Sequence, residues 1–272
     1  MQLIDRWDIP SDFTDYWQSD EYVAYLESAG MHMIGSVGSR GYWITMKIFS
    51  FCKFVYADEE PSLSYIRSVT RMHGLVYWTP FRRINIPRGW NRVRRPFTTH
   101  CISKGFSNVS SDYIHVWNQR ARRNIGRFFQ SGCSVYEGAS EEFKKGCALA
   151  TFKPSFQRHY AQKVSEIPSH IRSIFICKKN DSIVGGLCVM RYANTSVHIA
   201  SFLTKEGKNA NAGTGLIDYW NRHAYKENLA YLHFGELGRQ KIDDRTWQGF
   251  SDFKRNFIEY EVHFDDEYWR FF

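Results

Sequence analysis

The run "SIFICKKNDSIVGGLCVMRYANTSVHIASFL", residues 173–203, decides the fold. It holds three stretches rich in β-branched and aromatic residues, separated by the turn formers "KNDS" and "ANT". Short strand-forming runs joined by tight turns predict an antiparallel meander. Upstream, "PSFQRHYAQKVSEI" starts with Pro154 at a tolerated first-turn position and stops before Pro168, which predicts a helix. Downstream, "NAGTGLIDYWNRHAYKEN" reads as a Gly-containing loop that opens a helix with Leu216, Ile217, Trp220 and Ala224 turned inward. A strand "LAYLHFG", the short segment "GFSDFKRNF" (249–257) and a strand-like "IEYEVHF" complete the order. Helix, meander, helix, strand, short helix and strand predict an α/β (α+β) unit with a mixed, largely antiparallel sheet flanked by helices.

The N-terminal part echoes this order more weakly. "SRGYWITMKIFSFCKFVYAD" reads as a strand pair, "PSLSYIRSVTRMHG" as a helix and "LVYWTPF" as another strand. The expected organisation is therefore two tandem modules, residues 1–95 and 96–272, with the first degenerate.

A chain of 272 residues with 43% hydrophobic content is long enough for one large or two small cores. No apolar run approaches the ~20 residues of a spanning helix, and "MQLIDRWDIPSDF" carries acids where a signal peptide is basic and then apolar. A cytoplasmic protein is expected. The six cysteines are scattered, with no Cys-x-x-Cys pair and no His at ligand spacing, so they read as reduced thiols and no metal is expected.

The formal net charge of +8 points to a polyanionic partner. From "FRRINIPRGWNRVRRPF" to "WNQRARRNIGRF" the chain collects ten arginines and Lys104, with Asp112 the one acid in between. Arg92, Arg94, Arg95, Arg120 and Arg123 are the chief candidates for phosphate contacts, because the planar guanidinium suits bidentate phosphate recognition. In "SSDYIHVWNQRARRNIGRFFQSG" the residues Tyr113, Trp117, Ala121, Ile125 and Phe128 recur at helical spacing, and Arg120, Arg123 and Arg127 share another face. The aromatic stripe reads as core and the arginine face as a binding surface.

No Gly-x-Ser-x-Gly elbow, His-Glu-x-x-His, Walker loop or dinucleotide fingerprint is present, which weighs against hydrolase, metalloprotease and NTPase chemistry. Gly213 and Gly215 at a helix start are candidates for holding a phosphate or pyrophosphate on main-chain N–H groups. Lys254 stands among Phe250, Phe253 and Phe257, and a partly desolvated ammonium acts strongly on a developing oxyanion. A lysine stem covering apolar surface is the competing reading. Asp218, Glu236, Asp243, Asp244 and His233 are candidate general bases, with Glu236 and His233 placed at a strand end where α/β sheets bind ligands.

Taken in order, these residues resemble the FemAB-like branch of the GNAT acyltransferase superfamily. In that family a strand ending in Asp-Phe-Gly precedes Gly-x-x-x-Phe-Lys-x-x-Phe-Gly. Here His233, Phe234 and Gly235 are followed by Gly249, Phe253, Lys254 and Phe257. "PFTTHCISKGF", the arginine-rich segment and Gly132-Cys133-Ser134-Val135 are similar to the family's upstream strand, helix and strand. The resemblance covers roughly residues 96–265, and the chain departs from the family pattern at His233, Glu236 and Ile258.

The resemblance implies transfer of an aminoacyl group from aminoacyl-tRNA to an amine of a phosphorylated or lipid-linked peptidoglycan precursor. Direct attack on the ester needs no cofactor. Lys254, positioned by Phe253, would supply the positive charge, and the central arginines would bind the tRNA backbone or a precursor diphosphate. Peripheral contact with the inner membrane face fits such an acceptor. Two alternatives stay open: an acyl-CoA-dependent N-acyltransferase with Gly213 and Gly215 at the pyrophosphate, and a non-catalytic RNA-binding protein. The superfamily's Arg or Gln three positions before the first glycine is Ala210 here, which weakens the CoA alternative.

Overall fold

The computed structural model describes residues 2–4, 19–28, 32–35, 42–45, 52–56, 60–64, 67, 74–80, 85–93, 103–150, 154–237, 245–263 and 267–271. Its strands are β1 (Gln2–Ile4), β2 (His32–Gly35), β3 (Tyr42–Thr45), β4 (Cys52–Tyr56), β5 (Leu75–Thr79), β6 (Asn91–Arg92), β7 (Ser103–Asn108), β8 (Cys133–Glu137), β9 (Arg172–Lys179), β10 (Ser182–Tyr192), β11 (Thr195–Leu203), β12 (Tyr231–Leu237), β13 (Tyr260–His263) and β14 (Tyr268–Phe271). Its helices are α1 (Asp20–Ser28), α2 (Gln119–Phe129), α3 (Ser140–Ala148), α4 (Pro154–Glu166), α5 (Lys205–Asn209), α6 (Ala212–Lys226) and α7 (Arg245–Lys254).

The expected meander is β9, β10 and β11. Asn180 and Asp181 take the positive φ that a two-residue hairpin needs, and Ala193-Asn194 makes the second turn between the paired Tyr192 and Thr195. The sheet runs β1-β13-β7-β12-β11-β10-β9-β8. Gly185 and Gly186, neighbours on β10, point to opposite faces and leave room for different helices. A methyl on Gly185 would stand 3.3 Å from Leu216 of α6, and one on Gly186 would stand 2.4 Å from Phe202 and 3.2 Å from Phe143 of α3. Each face is thus covered by helices, as the element order predicts.

Two compact units divide the chain: residues 1–2, 105–235 and 243–261 in one, and residues 3–104, 236–242 and 262–272 in the other. The expected boundary at residue 95 is drawn differently here, because β14, at the far end of the sequence, hydrogen-bonds with β5 and β6. In this second unit β4 and β5 pair in parallel, while β2 and β3 form a separate hairpin. The strand pair read in 39–58 is corrected: β3 and β4 are strands of different sheets. Most of the helix read in "PSLSYIRSVTRMHG" and the "PFTTHC" strand lie outside the described residues.

One expected helix also divides in two. Tyr113–Val116 is a single 3-10 turn, Trp117 is extended, and α2 begins after Asn118, whose side chain accepts a hydrogen bond from the Ala121 N–H at 2.9 Å. The apolar stripe is core, as its spacing indicates: Tyr113, Trp117, Ala121, Ile125 and Phe128 are all buried. α3, opened by a Glu142 side chain that accepts from the Ala139 N–H, was not foreseen.

Phe128 anchors α2 on α6 by lying over Gly215, where a methyl would sit 2.3 Å from the ring. Gly126, on the exposed side of α2, has nothing within 4 Å. Gly126→Ala should therefore stabilise the protein by about 0.5–1 kcal/mol through helix propensity. Gly215→Ala gains the same propensity but has to displace a buried ring, a strain of about 1–3 kcal/mol, and should lower the denaturant midpoint. Equilibrium unfolding of the two variants checks the contrast in sign.

Candidate active site

The parallel pair β11 and β12 stays together at Thr195–Tyr231, Ser196–Leu232 and Val197–His233, and no further. β11 continues to Leu203 and β12 to Leu237, so the two strands part after Val197 and His233. Two irregularities sit where they separate. Gly235 has φ +73°, a value that turns β12 and that glycine adopts without strain. On β11, Val189 pairs with His198 but Cys188 pairs with Ala200, so Ile199 is an extra residue in the ladder. That bulge shifts the alternation by one and brings His198 and Ser201 to the same face. Their side chains meet, with 3.0 Å between His198 Nε2 and Ser201 Oγ.

Lys254 comes to this opening from the last turn of α7. It is 5% exposed, and its Nζ lies 4.3 Å from the centroid of the Phe250 ring, one helical turn back. A methyl placed on Gly235 would stand 3.6 Å from both Lys254 Nζ and the His198 carbonyl oxygen. The ammonium, the bulged strand and the turned strand thus share one small region.

The turn after α7 is held on both sides. Phe257 packs edge-on against Phe253 at 4.9 Å and against Trp117 at 5.0 Å, and Trp220 covers Phe234 at 5.1 Å. Arg255 grips Glu261 with two nitrogens at 2.9 and 3.0 Å, a bidentate pair that fixes the chain just beyond Lys254. Ser107 Oγ donates to the Phe257 carbonyl at 3.0 Å and ties the same turn to β7.

The electrostatics of His198 follow from this placement. Burial first, and then the Lys254 and Lys163 charges, hold its imidazole well below the usual range, so the ring is neutral. A hydrogen bond to the residue's own main chain pulls weakly the other way. The ring also lies 5.6 Å from that of Phe250, the aromatic beside the Lys254 ammonium.

The candidates read from sequence fare differently. Lys254 and Phe253 are at the opening. Gly213 and Gly215 stand in the first turn of α6, where an added methyl would meet Phe253 at 3.0 Å and Phe128 at 2.3 Å, so packing alone asks for small residues there. They are glycines so that α6 can accept α7 on one side and α2 on the other. His233 is fully buried in the sheet with Nδ1 3.5 Å from the Tyr192 hydroxyl. Asp218 is buried too, accepting from the Tyr113 hydroxyl at 2.6 Å and pairing with Arg222. Glu236, half-buried on β12, is the first residue of a segment belonging to the second unit. Asp243 and Asp244 lie outside the described residues.

Among the arginines, Arg120 and Arg123 are exposed on α2 together with Arg122, Arg127 and Phe129. Arg92 is exposed on β6 in the second unit, and Arg94 and Arg95 lie outside the described residues. Among the described residues no group of His, Cys, Asp and Glu could hold a metal ion. No described helix is long and apolar enough to cross a membrane. Burial raises the Cys147 and Cys188 thiols to about 12, which leaves them inert as nucleophiles.

His198 and Ser201 were missed by sequence reasoning. A His and a Ser three apart on a strand normally face opposite ways, and only the bulge, invisible in composition, unites them.

No family model matches the chain. No curated protein matches it by sequence. Solved structures do. A crystal structure of FemX aligns with a TM-score of 0.72 at 10% identity, over 95% of this chain and 92% of that one. A conserved protein of unknown function from Bacteroides thetaiotaomicron aligns at 0.62 and 9% identity, over 94% and 90%. L-PGS from Bacillus licheniformis aligns at 0.53 and 12% identity, over 90% and 85%. At such identities the likeness is one of fold, and it extends over nearly the whole of each chain.

The site geometry makes a direct spectroscopic prediction. NMR titration of the His198 ring should show it neutral well below pH 6.5, the ordinary histidine value. Lys254→Met removes a neighbouring positive charge and should raise the His198 pKa, while burial, the larger cause, keeps it below normal. An unchanged titration would place the Lys254 charge away from His198.

Proposed function

We propose that this chain is an aminoacyltransferase of the FemAB-like type, moving an aminoacyl group from the ribose ester of aminoacyl-tRNA to an amine of a peptidoglycan precursor. The observation that carries the reading is the buried Lys254 ammonium at the parting of β11 and β12, in a chain that shares its fold with FemX. A lysine whose stem merely covered apolar surface would keep its head in water. Here the charge is taken out of bulk water and held against Phe250, a setting in which it acts strongly on negative charge that develops beside it.

The chemistry needs alignment, charge stabilisation and a path for one proton. The acceptor amine attacks the ester carbonyl, and the carbonyl oxygen becomes an oxyanion in the tetrahedral intermediate. Lys254 Nζ stabilises that oxygen. Collapse expels the ribose hydroxyl of the tRNA and leaves an amide. Phe253, packed between Gly213 and Phe257, fixes the backbone from which Lys254 projects. The exposed arginines of α2 suit a phosphate backbone or the diphosphate of a lipid-linked precursor. Phe129, 62% exposed beside them, suits peripheral contact with an anionic membrane face.

The acyl-CoA alternative is weakened by Ala210, which stands where the superfamily places Arg or Gln three positions before the first glycine. The RNA-binding alternative gives the Lys254 ammonium, held over Phe250 at the strand opening, no part in chemistry.

Lys254→Met keeps the stem and removes the charge. It should lower turnover by about 10²–10³-fold, the scale of a lost oxyanion stabiliser, with folding intact by circular dichroism. Transfer of labelled amino acid from charged tRNA to a muramyl pentapeptide precursor measures this, and unchanged turnover would remove Lys254 from the chemistry. Arg120→Ala and Arg123→Ala should weaken tRNA binding and make the log–log salt dependence shallower by about one unit for each phosphate that is no longer neutralised. Binding by the parent protein that is flat between low and physiological salt would exclude the arginine role.

A further inference from the structure

An amine that attacks an ester carries a surplus proton in the tetrahedral intermediate, and the departing ribose oxygen needs one. Lys254 is already a cation and cannot accept the first. The bulge at Ile199 supplies a pair that can, Ser201 and His198, on one face of β11 beyond the point where β12 leaves it. Both side chains are half-buried rather than sealed in the core. With its proton on Nδ1, the neutral His198 ring presents Nε2 as the acceptor in the 3.0 Å contact with Ser201 Oγ.

We propose that Ser201 and His198 form a proton relay for the acceptor amine and the leaving ribose oxygen. The inference rests on the transferase reading above. As the ammonium N–H of the intermediate breaks, its proton passes to Ser201 Oγ, and the Ser201 hydroxyl proton passes to His198 Nε2. The imidazole becomes an imidazolium. When the carbon–oxygen bond breaks, its electron pair goes to the ribose oxygen, which takes the proton back along the same path. Ester and amine become amide and alcohol, and both side chains return to their starting state.

The charges around His198 suit the second half of this cycle. The groups acting on it are Lys254 from α7, Lys163 from α4 and His233 from β12, and each disfavours an imidazolium. A relay that holds its proton poorly is a strong acid toward a departing alkoxide. His233, one of the bases read from sequence, is fully buried and turned to Tyr192 inside the sheet. The Tyr136–Glu142–Lys178 and Tyr113–Asp218–Arg222 clusters are satisfied among themselves and tie helices to their neighbours.

The test uses the full chain, bulk tRNA charged with labelled amino acids, and a muramyl pentapeptide precursor. Ser201→Ala and His198→Gln should lower kcat by about 10²–10⁴-fold, the range of general acid–base catalysis, with KM for charged tRNA unchanged. His198→Ala should regain part of its rate when imidazole is added to the buffer. Ser201→Ala removes one hydroxyl and keeps the reading falsifiable if a His198 variant fails to fold. Wild-type kcat in Ser201→Ala, or a loss confined to KM, would overturn the relay while leaving the transferase reading standing. A parent protein inert toward charged tRNA would overturn the transferase reading and the relay with it.

Discussion

The short pairing of β11 with β12 is the constraint on which the rest of the structure depends. Parallel neighbours normally share a ladder along their common length, and here the ladder stops at Val197 and His233. Beyond that point the two strands no longer pair with each other, and a side chain from another element can enter between them. Gly235, with its positive φ, and the extra Ile199 are the local devices that turn each strand from the other. Everything assigned to the site, the Lys254 ammonium and the His198–Ser201 pair, is defined by that opening.

Aromatic packing holds the opening, together with the Arg255–Glu261 pair and the Ser107 hydrogen bond. Trp117, Trp220, Phe234, Phe253 and Phe257 form a connected set beneath it, and Trp220 spends its indole N–H on Ser196 at 2.7 Å. Rings of this size lose little conformational freedom for the area they bury, so they fix α7 within a narrow range. The two glycines of α6 belong to the same device, since Phe253 and Phe128 occupy the volume that their side chains would fill. Packing alone accounts for small residues at these two positions. The positive charge and the neutral imidazole then follow from position. Burial first, and the Lys254 charge second, disfavour protonation of His198.

The meander, α4, α6 and the closing strands were legible because periodicity and turn residues agree there. Pro154, Asn180-Asp181 and the Gly213 region each mark an end that the structure keeps. Lys254 was legible because its aromatic neighbours are sequential. Three features were not. The break between the 3-10 turn and α2 depends on one Asn118 side-chain bond, which the apolar spacing runs straight through. The division into two units depends on β14 returning to β5 and β6, a long-range pairing with no local signature. His198 and Ser201 depend on a one-residue bulge, which changes side-chain direction without changing strand propensity.

The identity of the donor is the claim to which all of this leads, and competition binding tests it most directly. Aminoacylated tRNA is titrated at physiological salt, against free acyl-CoA and against a charge-matched RNA duplex that lacks the acceptor end. The account predicts that charged tRNA survives the duplex and is not displaced by CoA. Saturable CoA binding, with tRNA displaced like any polyanion, would contradict it.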